Sequence, residues 1–479
     1  MGATRRAPLV VAAAAAGLSL LLPIVARAAS QPAGPAQPPA VKDIACDPGA
    51  HPESMQGRVH PGEVANGYAA AGYRCNTTLI GQYSNVGGFR VQRYVDHSGH
   101  VCAFYDSTLL FPTNAVLGST HNTGVFVLDM TDPAHPKRTA TLSTPAMQSP
   151  HESLSLNQPR GLLAADLGNP LTYPGWVDIY DVSQDCRQPT LDASLPVGVL
   201  GHEGAFSPDG RTFWVTSAGG STMTALDITN PKVPVPLWTQ TGIAVHGLNI
   251  SNDGRTVYEA DLGKSGHPAG LDIVDVSGIQ DRVPGATGKL ISYLSWPDVS
   301  LPQVPLPITI GHHPYLFEVD EYATDGTTGG APAAESDTAA HVGGARIIDI
   351  ANPARPHVIS NIRLAVDLTA NRHLLAGDPG ASSSLQGYAG HYCAVPRRND
   401  PGIAACSFIA SGLRVFDIHD PLHPKEIAYF NAPVRNTGGN FAMSAPAFDP
   451  VHGQIWYTDG NEGFFAVALT KSALAYWPR

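Results

Sequence analysis

A short run of apolar positions closed by an aspartate recurs along the chain. It reads Val125-Phe126-Val127-Leu128-Asp129-Met130, Val177-Asp178-Ile179-Tyr180-Asp181-Val182 and Met223-Thr224-Ala225-Leu226-Asp227-Ile228, and returns at 271–276, 345–350 and 413–418. The β-branched and aromatic content predicts strands, largely buried. Four copies continue into a turn, at Asp132-Pro133, Asn230-Pro231, Asn352-Pro353 and Asp420-Pro421. Asp or Asn before Pro suits a type I turn, because the side chain caps the backbone and proline presets φ. Asp-Gly hairpin signals at 209–210 and 253–254 separate two further apolar runs in their units. Each unit therefore reads as four antiparallel strands, A to D, from inner to outer.

The closing aspartates recur at intervals suited to propeller blades of about 40–50 residues, with insertions in the two longest units. A degenerate seventh unit, with Ala447-Phe448, Ile455-Trp456-Tyr457 and a run at 464–469, lacks a fourth strand. Leu79-Ile80-Gly81-Gln82-Tyr83 resembles an outer strand, and pairing it with that unit would close the ring and remove exposed edges. The expectation is an all-β, seven-bladed propeller of four-stranded antiparallel blades over 76–471, closed by an N-terminal strand. A solenoid or a pair of sandwiches is the alternative. The strand-and-turn pattern resembles the LVIVD repeat of exported bacterial and archaeal β-propeller proteins. That resemblance implies fold and export but no single activity.

Ahead of the ring, Arg5 and Arg6, an apolar run to Ala26 and the small-residue pattern Ala26-Arg27-Ala28 read as a signal peptide over 1–28. A retained anchor is the alternative, and the paired arginines also suit a twin-arginine signal. A Pro-rich linker at 29–43, a Cys-flanked extension at 44–75 and a tail at 472–479 complete the organisation. Secreted, periplasmic or cell-surface location follows, with no membrane span after cleavage. Six cysteines in an exported chain suggest disulfides, with Cys393–Cys406 across a hairpin and Cys46–Cys75 bracketing the extension. The formal charge of −11 and the absence of a long basic run argue against nucleic-acid binding. A monomer is expected.

Candidate chemistry gathers at one rim. His151, His202, His246, His312 or His313, and His391 each precede a predicted A strand, so their side chains could converge on the axis. Glu152 and Glu203 neighbour two of them. Asp166 and Asp261 close B strands on the same rim, with Glu321 and Asp459 as looser counterparts. Neutral imidazole suits Zn, Cu or Fe, and a carboxylate on its far nitrogen fixes the tautomer. In the competing reading, Gly201-His202, Gly311-His312 and Gly390-His391 resemble the Gly-His pair of WD-repeats, whose histidine clamps a blade through an aspartate. Long loops at 107–123, 322–343 and 367–390, and a Pro-rich stretch at 297–311, would lie on that rim.

Two functions follow, beside a third reading as a purely structural surface protein whose rim has no function. The leading one is a binding module that takes a protein or small-molecule ligand through the loop-rich face. The alternative is a metal-dependent oxidoreductase or hydrolase with the histidines as ligands and Glu152 or Glu203 as base. Motifs for a nucleophile elbow, a zinc helix and a phosphate loop are missing.

Overall fold

A computed structural model describes residues 37–108, 123–168, 175–196, 201–217, 219–327, 330–435 and 438–478. The signal-peptide reading of 1–28, the start of the linker and most of the 107–123 loop lie outside these residues. Seven blades of four antiparallel strands form a ring, a β-propeller. The innermost strands are Val91–Val95, Ser155–Asn157, Glu203–Phe206, Val245–Ile250, Leu301–Ile310, Gly390–Ala394 and Ala447–Asp449, in blades one to seven.

The recurring aspartate closes the third strand of blades one to six, at Val125–Asp129, Val177–Asp181, Thr222–Asp227, Gly270–Asp275, Ala345–Asp349 and Gly412–Asp417. The apolar part of each strand is buried between neighbouring blades while the aspartate is partly exposed at its end. Its Oδ1 accepts the backbone N–H two residues on, at 2.7–3.0 Å, in all six blades. The repeat is thus a buried strand plus an Asx turn that aims the chain into the outer strand.

The seventh blade takes its fourth strand from the N-terminal side. Thr77–Tyr83 pairs antiparallel with Gly463–Leu469, Thr77 facing Leu469 and Tyr83 facing Phe464. Closing the ring in this way leaves the blade with no unpaired C strand. The extension packs on the ring as well. Lys42–Asp43 runs parallel, and Tyr73–Cys75 antiparallel, to the outer strand Lys425–Asn431 of blade six. In the tail, Trp477 packs edge-on against Phe448.

Three disulfides are present. Cys46–Cys75 and Cys393–Cys406 are the pairs expected, the second between directly opposed residues of blade six. Cys102–Cys186 ties the second strand of blade one to blade two. Among the described residues, no helix is long and apolar enough to cross a membrane.

Blade five departs from the expected layout. The Pro-rich stretch read as a rim loop is the innermost strand, Leu301–Ile310, which pairs with His313–Glu321. Pro302, Pro305 and Pro307 are tolerated because an innermost strand is an edge with no further strand to receive its N–H groups. His312 and His313 therefore stand at a hairpin on the opposite face of the ring.

Candidate functional site

Four of the predicted histidines meet on the axis. His151 and Glu152 precede the inner strand of blade two, and His202 precedes that of blade three. His246 is second in the inner strand of blade four, and His391 is second in that of blade six. Glu321 joins them from the end of the second strand of blade five. The chain folds this way locally because each inner strand starts at the same rim, so residues at its first turn face one another across the channel.

Glu152 stands at the centre. Its Oε2 lies 3.1 Å from His202 Nε2, 3.6 Å from His246 Nε2 and 3.8 Å from His151 Nδ1, and its Oε1 lies 3.3 Å from His391 Nε2. Glu321 lies 2.8 Å from His391 Nε2 and 3.4 Å from His246 Nε2. On their other side the rings are held by backbone. His246 Nδ1 is 2.8 Å from the Pro302 carbonyl and His391 Nδ1 is 2.5 Å from that of Met443. An Nδ1–H donated to a carbonyl leaves Nε2 as the free electron pair, the tautomer a metal ligand needs. The rings are also packed: His151 stacks on Phe89 at 4.3 Å and touches His202 at 4.4 Å. His151 holds φ at +52° and Tyr322, after Glu321, holds +50°, both in the left-handed region that costs a side-chain-bearing residue strain.

The site is buried, with His202 its most exposed ligand at 16% of the side chain. His151 Nδ1, His202 Nε2, His391 Nε2 and Glu152 Oε2 are inaccessible to solvent and have no aligned hydrogen-bond partner. Burial holds the His151 imidazole down at about 3, and burial also lowers His246. His391 is raised to about 9: burial opposes its charge, but the close carboxylates of Glu152 and Glu321 outweigh that. Glu152 is driven well below its ordinary range, burial being overcome by His151 and His202. The two carboxylates thus draw positive charge to this point, and a proton on His391 supplies it when nothing else does.

The donor set fits a transition metal. His151, Glu152 and His202 offer ligand atoms within 4.8 Å of one another, as do Glu152, Glu321 and His391. Four imidazoles with two carboxylates match Zn, Cu or Fe chemistry.

The other candidates sit elsewhere. Glu203 forms no ion pair with the imidazoles among the described residues and pairs with Arg90, which also donates to Tyr392 Oη at 3.2 Å. Burial raises Glu203 well above its usual range. His313 pairs with Asp349 at 2.8 Å on the far face, and His312 sits beside it in the turn. Asp459 caps backbone, accepting Phe441 N at 2.8 Å, and Asp261 accepts Gly263 N and Ser265 Oγ. Asp166 lies against Gly201, whose Cβ position its Oδ1 would occupy. None of these three clamps an axial histidine in the WD-repeat manner: Asp459 and Asp261 hold backbone or loop, and both Asp166 oxygens are buried without a hydrogen-bond partner. Of the carboxylates placed behind the imidazoles, only Glu321 reaches them. Arg90, Gln303 and Tyr392 were not legible as site residues. Gln303 takes the blade-five place expected of His312 or His313, buried with its amide unpartnered. Beyond this layer, a cavity of about 360 Å³ runs along the inner strands of blades two to four, lined by Arg90, Asn157, Asn249 and Arg398 among others.

No family model and no curated protein matches the sequence. Among solved structures, the β-propeller domain of Cps50 (Swd1) from Myceliophteria thermophila is 10% identical, covers 82% of this chain and 98% of its own, and superposes at a TM-score of 0.51. Hydrazine synthase of Kuenenia stuttgartiensis is 13% identical over 82% of this chain and 97% of its own, at 0.49. The periplasmic gluconolactonase of Pseudomonas aeruginosa is 13% identical over 73% of this chain and 92% of its own, at 0.47. At 10% identity the likeness to the Cps50 (Swd1) domain is one of fold alone, the β-propeller.

Proposed function

We propose that this chain is an exported LVIVD-type propeller that works as a metal-dependent oxidoreductase or hydrolase, its metal held at the mouth of the axial channel. The observation that carries the reading is the convergence of His151, His202, His246 and His391 on Glu152 and Glu321, with two rings pinned by carbonyls and four buried polar atoms in close ion pairs but without an aligned hydrogen bond. A structural clamp would satisfy those atoms; a ligand shell leaves them pointing inward. A bound Zn, Cu or Fe would supply Lewis acidity or electron transfer there. Glu152 and Glu321 orient the imidazoles and hold protons within reach of a reacting group. Phe89, Tyr322 and Tyr392 wall the site and keep water out. Substrate approaches beside His202.

The long segments 322–344 and 363–389 join strands at this same rim, which favours ligand capture by that face as the second reading. Metal analysis of the purified protein separates the two. The enzyme reading expects about one equivalent of transition metal, lost in His246→Ala and His391→Ala while the β circular dichroism persists. Wild-type protein free of Zn, Cu and Fe, or retention of that same Zn, Cu or Fe in both variants, overturns it.

A further inference from the structure

Blades four and five carry the same two acids at the same places. In blade five the second strand presents Glu318 and Asp320, and Arg346 stands directly opposite Glu318 on the third strand. Arg346 donates to Asp320 at 2.9 and 3.1 Å, pairs with Glu318, and lies 4.0 Å above the Trp296 ring. In blade four the matching acids are Glu259 and Asp261, on the second strand Thr256–Asp261. The residue opposite Glu259 is Asp272, three before the closing Asp275 as Arg346 is three before Asp349. Where blade five has two carboxylates and a guanidinium, blade four has three carboxylates.

All three are buried: Glu259 is 5% exposed, Asp261 0% and Asp272 4%. Among the described residues, no lysine or arginine pairs with them. The nearest basic group is His267, from the loop between the second and third strands. Its Nε2 lies 3.2 Å from Asp272 Oδ2 and its Nδ1 3.6 Å from Asp261 Oδ2, and its ring stacks on Tyr293 at 4.4 Å. Glu259 Oε1, Asp272 Oδ1 and His267 Nε2 are buried without a hydrogen-bond partner. Burial and the neighbouring acids push Glu259 well above its ordinary range and Asp272 up to about 7. Like charges directly opposite on paired strands destabilise a sheet, and buried carboxylates without a counter-charge cost more.

We propose that Glu259, Asp261, Asp272 and His267 form a second cation site, separate from the axial histidines, that takes an oxygen-preferring divalent metal, Ca²⁺ or Mn²⁺, in the place blade five fills with Arg346. Asp261, His267 and Asp272 already offer ligand atoms within 4.8 Å of one another. Three carboxylates are hard oxygen donors and outnumber the one borderline imidazole, which favours these ions over the softer metals suited to the axis. Ca²⁺ would lean on the carboxylates alone; Mn²⁺ would also use His267.

The test uses EDTA-stripped full-length protein and its His246→Ala/His391→Ala form, in which the axial site is disabled. Melting is followed with Ca²⁺, Mn²⁺ or Zn²⁺ added singly. Ca²⁺ or Mn²⁺ is expected to raise Tm by about 3–5 °C at a hundredfold excess over Kd, in both backgrounds; the ion with the larger shift is the preferred one. Glu259→Gln/Asp272→Asn abolishes the shift. Asp272→Arg, which copies blade five, abolishes it too and raises the metal-free Tm. No shift with either ion, a shift with Zn²⁺ alone, or a shift that survives Glu259→Gln/Asp272→Asn overturns the proposal.

Discussion

Blades four and five solve one problem with different side chains. Both place two acids on a second strand whose surface is sealed by a neighbouring blade. Blade five answers with a guanidinium built into the chain, planar and able to grip Asp320 through two nitrogens at once. Blade four puts Asp272 at that position and leaves the counter-charge to come from solution. A covalently attached cation is always present. A soluble one makes the blade responsive to its surroundings.

Removing the internal cation should have the largest effect. Arg346→Met leaves Glu318 and Asp320 buried without a counter-charge, Asp320 keeping only Trp296 Nε1 and the Ser300 N–H as donors, and is expected to cost about 3–5 kcal/mol in urea unfolding. Adding Glu318→Gln and Asp320→Asn to it should restore much of the loss. A triple variant as unstable as the single one would show that Arg346 acts by packing on Trp296 rather than by charge. Asp272→Arg makes the reverse move in blade four. It is expected to stabilise metal-free protein by about 1–2 kcal/mol, relieving the like-charge pair. Destabilisation there would mean that the buried cluster around Asp272 has no room for the longer side chain.

Asp459 in blade seven sharpens the contrast, as a buried acid with no facing acid. Burial raises it to about 7 even though backbone N–H groups favour its charged form. The folded state therefore holds a proton that the unfolded chain releases near its ordinary value of about 3.9. Stability falls as pH rises from about 4 to about 7 and is level above. In Asp459→Asn the slope over that window should be shallower by up to about 1.4 kcal/mol per pH unit, read from denaturant midpoints. An unchanged slope would place the titration elsewhere. The smallest effect is expected at His313→Ala. Its pair with Asp349 sits at an open hairpin, His313 being 43% exposed, so a loss of under about 0.5 kcal/mol is expected by thermal melting.

The fold was legible because each blade repeats a local event, a buried strand ended by an aspartate that caps its own turn. Closure was legible from Leu79 to Tyr83, whose alternation matches an outer strand. The axial cluster was legible in part. His151, His202, His246 and His391 each stand at the first turn of an inner strand, so a position along the repeat translates into a place on the axis. Blade five broke the translation. Its inner strand carries three prolines, which read as loop, so the histidine pair two residues past it was assigned to the wrong face. Asp166, Asp261 and Asp459 share a blade position but not a partner, and only side-chain placement tells a carboxylate that holds an imidazole from one that holds a backbone amide. Arg90 gave no signal because the first unit matches the repeat poorly. The acids of blade four became visible only once register set Glu259 against Asp272.

The strand Thr77–Tyr83 has one further consequence. Its partner, Gly463–Leu469, is nearly four hundred residues downstream. While the polypeptide is being delivered, this early segment has nothing to zip onto, and blades one to six can stack only as an open arc. His151, His202 and His246 stand on adjacent blades, but His391 of blade six reaches Glu152 of blade two only across the ring, when that arc bends shut. Completion of the axial pocket therefore waits for the strand that begins at residue 463, and any chain cut short before it should lack both a sealed circle and a finished pocket.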